Sequence, residues 1–253
     1  PDLLSANEEA RHLWRVAVRM MMDNARAGVP MDLVVERAGA KQTLRLTPVS
    51  PAEMHVLQAD ENARDLPPLA EAGSPEPLRI DFQGDAPLYP YEGRWRVVRE
   101  PEGGGVLRQD RMILPWAVAL VAGKGRAYAD GKASVRFMPV AGVADASGGI
   151  IFRAQDPLNY YLVRPNALED NFRIYVMKDG VRKELASVTV TPPALNQWHV
   201  IEVEFKGDTF RATLDGKDPV EAHDATLKSG WCGLWTKADS VTLFDDLSVM
   251  PLK

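Results

Sequence analysis

The stretch Gly148–Asn171, Gly-Gly-Ile-Ile-Phe-Arg-Ala-Gln-Asp-Pro-Leu-Asn-Tyr-Tyr-Leu-Val-Arg-Pro-Asn-Ala-Leu-Glu-Asp-Asn, decides the fold. β-branched and aromatic residues on either side of Asp156-Pro157 predict two strands joined by a tight turn, then a polar loop at 165–170. Arginines stand where a sheet ordinarily carries apolar residues, at 153, 164 and 173. The segment Gly233–Val249, Gly-Leu-Trp-Thr-Lys-Ala-Asp-Ser-Val-Thr-Leu-Phe-Asp-Asp-Leu-Ser-Val, repeats the strand–turn–strand pattern near the C-terminus.

Outward from these segments, short strands recur between Gly, Asp and Pro punctuation. The expected set is 78–82, 95–99, 133–139, 149–154, 160–164, 172–177, 182–189, 199–206, 209–214, 230–236 and 241–249. Lys178-Asp179-Gly180 and Lys206-Gly207-Asp208 are hairpin connections. Strands without intervening amphipathic helices predict an all-β sandwich or jelly roll over 78–253. Upstream the pattern differs. Ser5 and Glu8 have capping-box spacing, and apolar residues at helical intervals predict a helix over 8–27, ended by Gly28. A β-hairpin is expected from 31–36 and 43–47. The chain thus divides into a helix-plus-hairpin extension (1–59), a Pro/Ala/Glu-rich linker (60–77) and a sandwich (78–253).

Composition narrows the function. The chain has 253 residues, 45% of them hydrophobic, which can fill a real core. A formal charge of −5 without a basic run argues against a nucleic-acid partner. The one cysteine, Cys232, excludes an internal disulfide and reads as a buried thiol between Trp231 and Gly233. The apolar stretch 112–123 is too short for a transmembrane segment. The chain begins at Pro1 with no secretion signal in view.

"GGIIFRAQDPLNYYLVRPNALEDNFRIYVMKDGVRKELA", "WHVIEVEFKGDTFRATLDGK" and "GLWTKADSVTLFDDLSV" together resemble a bacterial concanavalin A-like lectin/glucanase domain, of the type described as 3-keto-disaccharide hydrolase-like or laminin-G-like. The resemblance covers about 78–252. It implies a two-sheet jelly roll, exported to the periplasm or beyond, often attached to other modules and associated with carbohydrate.

Strand alternation suggests where a ligand binds. Arg153, Arg164, Arg173 and Tyr175 are expected on one concave face, rimmed by Asn166, Glu169 and Asn171, with Tyr161, Trp235, Lys237 and Asp239 nearby. Planar donors, amides and aromatic faces suit a sugar or carboxylate ligand. An alternative is that Arg164 and Glu169 form an ion pair that pins the 165–170 loop, with Arg153 in the same network. Asp81 and Asp245, on first and last strands that commonly lie side by side, are candidate calcium ligands.

Three functions follow: a noncatalytic carbohydrate-binding or adhesive module, a docking subunit contacting a protein partner through the N-terminal helix, or a glycoside hydrolase. The hydrolase would need an acid/base pair, for which Glu169 and Asp239 are the candidates. The alternation of Glu202 and Glu204 with Val203 and Phe205 reads instead as a solvated outer face. The four histidines have no metal-ligand spacing.

Overall fold

The computed structural model describes residues 31–37, 40–46, 75–84, 86, 88–100, 103–112, 116–121 and 126–252. The helix expected over 8–27 and most of the 60–77 linker lie outside the described residues. The chain divides into two units, Pro1–His55 and Val56–Lys253. In the first, β1 (Met31–Arg37) pairs antiparallel with β2 (Ala40–Leu46), in a register that brings Arg37 opposite Ala40.

The second unit is a two-sheet β-sandwich. Its strands begin with β3 (Leu78–Ile80), β4 (Tyr89–Tyr91), β5 (Trp95–Arg99), β6 (Gly105–Gln109) and β7 (Trp116–Val121). There follow β8 (Gly131–Ala141), β9 (Gly149–Asp156), β10 (Asn159–Pro165), β11 (Asn171–Lys178) and β12 (Val181–Thr189). The chain closes with β13 (His199–Lys206), β14 (Thr209–Leu214), β15 (Lys217–His223), β16 (Trp231–Lys237) and β17 (Val241–Pro251). One sheet runs β12-β11-β10-β9-β16-β7-β4, and the other β15-β14-β13-β8-β17-β6-β5 with β3 also paired to β17. Every pairing is antiparallel, as alternating sequences with short turns require.

Turn chemistry sets the hairpins. Asp179-Gly180 and Asp215-Gly216 have positive φ at both residues, the type I′ geometry that matches strand twist. Between the sheets lies an aromatic core in which Phe152 stacks on Tyr161 and Phe205 while Phe210 meets Phe152 edge-on. Ile150, Val163, Phe172, Ile174 and Leu234 face the same core from the seven-stranded sheet.

The opposite face of that sheet forms a second buried cluster, including Ile151, Tyr160, Leu162, Tyr175, Trp231 and Trp235. Burial on both faces removes the apolar/polar alternation from β7, β10 and β16. β16 runs close to its neighbour β7, for a Cβ on Gly233 would stand 2.3 Å from the Ala119 carbonyl oxygen.

Four strands were not expected: β4, β6, β7 and β15. β7 was read only as an apolar stretch, and β15 carries Pro219 and charged residues on an edge strand. The first and last strands of the sandwich do lie side by side, with Leu247 opposite Ile80.

Candidate functional site

β10, β11 and β12 bring a polar cluster to one end of the seven-stranded sheet. Arg164 and Arg173 are cross-strand partners, and a register shift after Ile174 sets Tyr175 opposite Glu184. Arg164 is the hub. Its Nη1 donates to Glu169 Oε2 at 3.1 Å and to Asn171 Oδ1 at 3.2 Å. Its Nη2 donates to the same Glu169 oxygen and to the Tyr175 hydroxyl, both at 3.2 Å.

Asn171 Nδ2 adds a third bond to Glu169 Oε2 at 2.8 Å. Arg173 donates from Nη1 to the Tyr175 hydroxyl at 3.3 Å and from Nε to Ser187 Oγ at 3.2 Å, with Glu184 3.4 Å away. Arg182 completes the group, its guanidinium lying 4.7 Å over the Tyr175 ring.

Burial divides the cluster by role. The Arg164 side chain is 3% exposed, whereas Glu169 is 39% and Arg173 32% exposed. Arg164 therefore holds the arrangement, and Glu169, Arg173 and Arg182 present it. Burial alone would raise the Glu169 pKa. The Asn171 hydrogen bond and the Arg164 charge outweigh it and hold the carboxyl below its ordinary range.

The same end of the sheet is closed by loops that carry the expected site residues Asn166, Lys237 and Asp239. Asp239 accepts backbone N–H bonds from Val143, Ala144 and Asp145 at 2.8–3.1 Å. Lys237 Nζ lies 3.3 Å from buried Asp145, whose other oxygen takes the Ser147 hydroxyl. Asn166 Oδ1 accepts from Ala146 and Leu168, tying the 143–147 segment to the 165–171 loop. Asn166, Lys237 and Asp239 thus shape loops next to the cluster rather than projecting from it.

Two expected ligand residues face the other way. A β-bulge between β9 and β16, with Arg153 at φ 48°, breaks the alternation that was to place Arg153 on the outer face. Its guanidinium instead lies over the Phe205 and Phe210 rings and donates to the carbonyls of Ala129 and Leu227 and to Asp130. Tyr161 also points between the sheets, where its hydroxyl donates to Asp224 and accepts from the Leu227 N–H. Burial and that Asp224 bond push the Tyr161 hydroxyl up to about 12. Trp235 does share the outer face, but it is fully buried and offers no surface to a ligand. The expected polar concave face is therefore mostly a second apolar core, with polar groups confined to its β10–β12 end.

What sequence reasoning missed here is Arg182 and Glu184. Pairing of β12 with β11 through the Asp179-Gly180 turn was the signal that places them beside Tyr175.

The two candidate calcium ligands, Asp81 and Asp245, each have another partner. A bulge in β17 separates Asp245, paired with Arg136 at 3.4 Å, from Asp246, which shares a groove of about 590 Å³ with Asp81 and Arg79. Asp81 caps its own turn through the Gln83 N–H. Among the described residues no three carboxylate, imidazole or thiolate side chains gather as a metal-binding group. Cys232 is buried, and burial pushes its thiol well above the usual range. Glu202 pairs with Lys132 on the outer face of the eight-stranded sheet, as its alternation implied.

No family model matches the chain. The levanase of Bacillus subtilis (strain 168) is 28% identical over 105 residues, which are 40% of this chain and 15% of the levanase. The chain therefore corresponds to only a small part of that relative. The solved structure of carbohydrate binding module CBM66 from Bacillus subtilis superposes with a TM-score of 0.56 and 21% identity, over 65% of this chain and 95% of that one. A Bacillus subtilis protein of unknown function with a galectin-like fold gives a TM-score of 0.52 and 11% identity, over 68% and 94%. A prokaryotic β-1,3-1,4-glucanase from a mouse hindgut metagenome gives 0.50 and 10%, over 70% and 99%. The sandwich has the same jelly-roll fold as these structures. Among the described residues no helix is long and apolar enough to cross a membrane.

Proposed function

We propose that the chain is a noncatalytic glycan-binding module of an extracytoplasmic bacterial protein, and that its ligand sits against the β10–β12 cluster. The observation that carries this reading is the asymmetry of Glu169. Three hydrogen bonds converge on Oε2, while Oε1 belongs to a side chain still 39% exposed. Beside it stand half-exposed Arg173 and the Tyr175 hydroxyl, which accepts from two guanidiniums and keeps its own proton to donate. A fixed carboxylate acceptor next to fixed planar donors suits the vicinal hydroxyls of a sugar. The likeness to a carbohydrate binding module in fold, and to a stretch of a levanase in sequence, supports the same class of ligand.

Hydrolysis is the weaker reading. A general acid needs a raised pKa, and that of Glu169 is lowered. Asp239 is committed to three backbone amides.

The test is a glycan array probed with the 253-residue chain, followed by calorimetric titration of the best hit into wild type and Arg173→Ala. Arg173 is part-exposed and outside the apolar clusters, so the variant should keep its melting temperature while binding at least about tenfold more weakly. A folded chain that binds nothing on the array rejects the proposal.

A further inference from the structure

Three guanidiniums bear on one phenol. Arg164 and Arg173 donate to the Tyr175 hydroxyl at 3.2 and 3.3 Å, and Arg182 lies 4.7 Å over the ring. Each of the first two has a carboxylate, Glu169 at 3.1 Å and Glu184 at 3.4 Å. Arg182 has none within ion-pairing distance among the described residues. Its Nη1 is buried there with no acceptor, and the Nε of Arg164, a residue only 2% exposed, also lacks one.

A guanidinium does not give up its proton, so this charge cannot be relieved by titration. Stacking on Tyr175 offsets part of the burial but supplies no acceptor oxygen. Nearby on the same face, the fully buried Tyr160 hydroxyl and the Trp231 indole N–H are likewise without acceptors. The cluster is thus short of acceptors and carries one uncompensated positive charge among like charges.

We propose that the ligand is an acidic glycan, and that the carboxylate of a uronic acid pairs with Arg182 against the Tyr175 ring. The inference rests on the glycan-binding reading above and adds its ligand class. A planar carboxylate matches the guanidinium fork and supplies the missing acceptors. The neighbouring Glu169 Oε1 takes hydroxyls of the same sugar.

The experiment titrates the 253-residue chain with polygalacturonate, alginate and hyaluronate, and with the neutral polymers levan, β-glucan and mannan. It uses wild type, Arg182→Met and Arg182→Lys at low and high salt. The methionine keeps an apolar stem on Tyr175 without charge, and the lysine restores charge without the planar fork. The expected result is that an acidic polymer binds, weakens with salt, loses at least about tenfold in Arg182→Met and recovers partly in Arg182→Lys. Binding confined to neutral polymers and unchanged by Arg182→Met overturns this inference and leaves the glycan-binding reading standing. Acidic binding indifferent to Arg182 overturns it as well. A folded chain that binds none of the polymers, and nothing on the array, overturns both.

Discussion

Arg164 brings both Nη atoms onto a single oxygen of Glu169, Oε2, at 3.1 and 3.2 Å. The two donors converge on one acceptor rather than pairing fork-to-fork, so one carboxylate oxygen saturates and the other stays available. An ion pair that fixes the 165–171 loop and a loop that presents a ligand group are therefore one arrangement seen from its two oxygens. The consequence is a division of labour that mutagenesis can separate.

Replacing Arg164 removes a donor side chain from each of Glu169, Asn171 and Tyr175 at once. Arg164→Met, which keeps the volume but no donors, is expected to cost about 1–3 kcal/mol in chemical denaturation. Glu169→Gln retains an acceptor and is expected to cost less than about 1 kcal/mol, because this end of the pair is solvated. Equal losses in the two variants would contradict the assignment of Arg164 as the hub.

Arg153 and Tyr161 grip the same residue from opposite ends of its backbone. Arg153 Nη1 donates to the Leu227 carbonyl at 3.2 Å and Tyr161 accepts from the Leu227 N–H at 3.0 Å. Tyr161→Phe strands that N–H and is expected to cost about 1–2 kcal/mol, and Arg153→Ala about 2–4 kcal/mol through lost packing on Phe205 and Phe210. Glycan affinity of the folded variants should match wild type. A selective loss of binding at either position would return these residues to the ligand face.

Most of the architecture was legible because two-residue turns and alternation are local signals. The 95–99, 199–206 and 209–214 strands begin and end where the sequence placed them. β15 was missed although Asp215-Gly216 is the same type of turn as Asp179-Gly180. Its outward residues are charged or polar apart from Pro219, and only Val220 and Ala222 reach the core. Arg153 was misplaced for a different reason. The bulge at Arg153, with φ 48°, turns that side chain and Ala154 to the faces opposite those alternation predicts while Ile150, Ile151 and Phe152 keep theirs, and no composition rule marks a bulge carried by an arginine. The Arg164–Glu169–Asn171 group was legible because its members lie within eight residues of one another around one loop. The Arg182 contact was overlooked although the Asp179-Gly180 turn fixes the register of β12 against β11 that places it.

Asp110 offers the sharpest acid-stability test. Arg94 Nε and Arg96 Nη2 each lie 2.6 Å from its oxygens and Arg108 Nε 2.8 Å, which bridges the cross-strand pair Arg96 and Arg108. Burial opposes ionisation, but the three arginine hydrogen bonds prevail and lower its pKa from 3.8 to about 2. A lowered folded pKa contributes stability that is present above pH 3.8 and lost as pH falls toward 2. The arginines are half-exposed, so the contribution is expected at about 1 kcal/mol. Denaturation midpoints of Asp110→Asn should fall below wild type at pH 6 and converge with it near pH 2. A constant gap across that range would mean that the ion pairs do not contribute.

Asp245 carries the opposite sign. Burial raises its pKa, the Asp246 N–H opposes that, and the Asp246 charge raises it again. A raised folded pKa favours the protonated form, so stability from this group is full below its ordinary value of 3.8 and is lost as pH rises through the folded value. Asp245→Asn mimics the protonated acid and is expected to be more stable than wild type at pH 7, with the advantage vanishing in acid. Loss of the 3.4 Å contact to Arg136 limits the gain, since Asp246 remains 3.2 Å from the same guanidinium. The same pair of proteins tests the calcium reading. If Asp245 and Asp81 held calcium, millimolar calcium would raise the wild-type melting temperature and the asparagine variant would lose that rise. With Asp245 turned toward Arg136 and Asp81 capping its own turn, the expected result is no calcium-dependent shift in either protein.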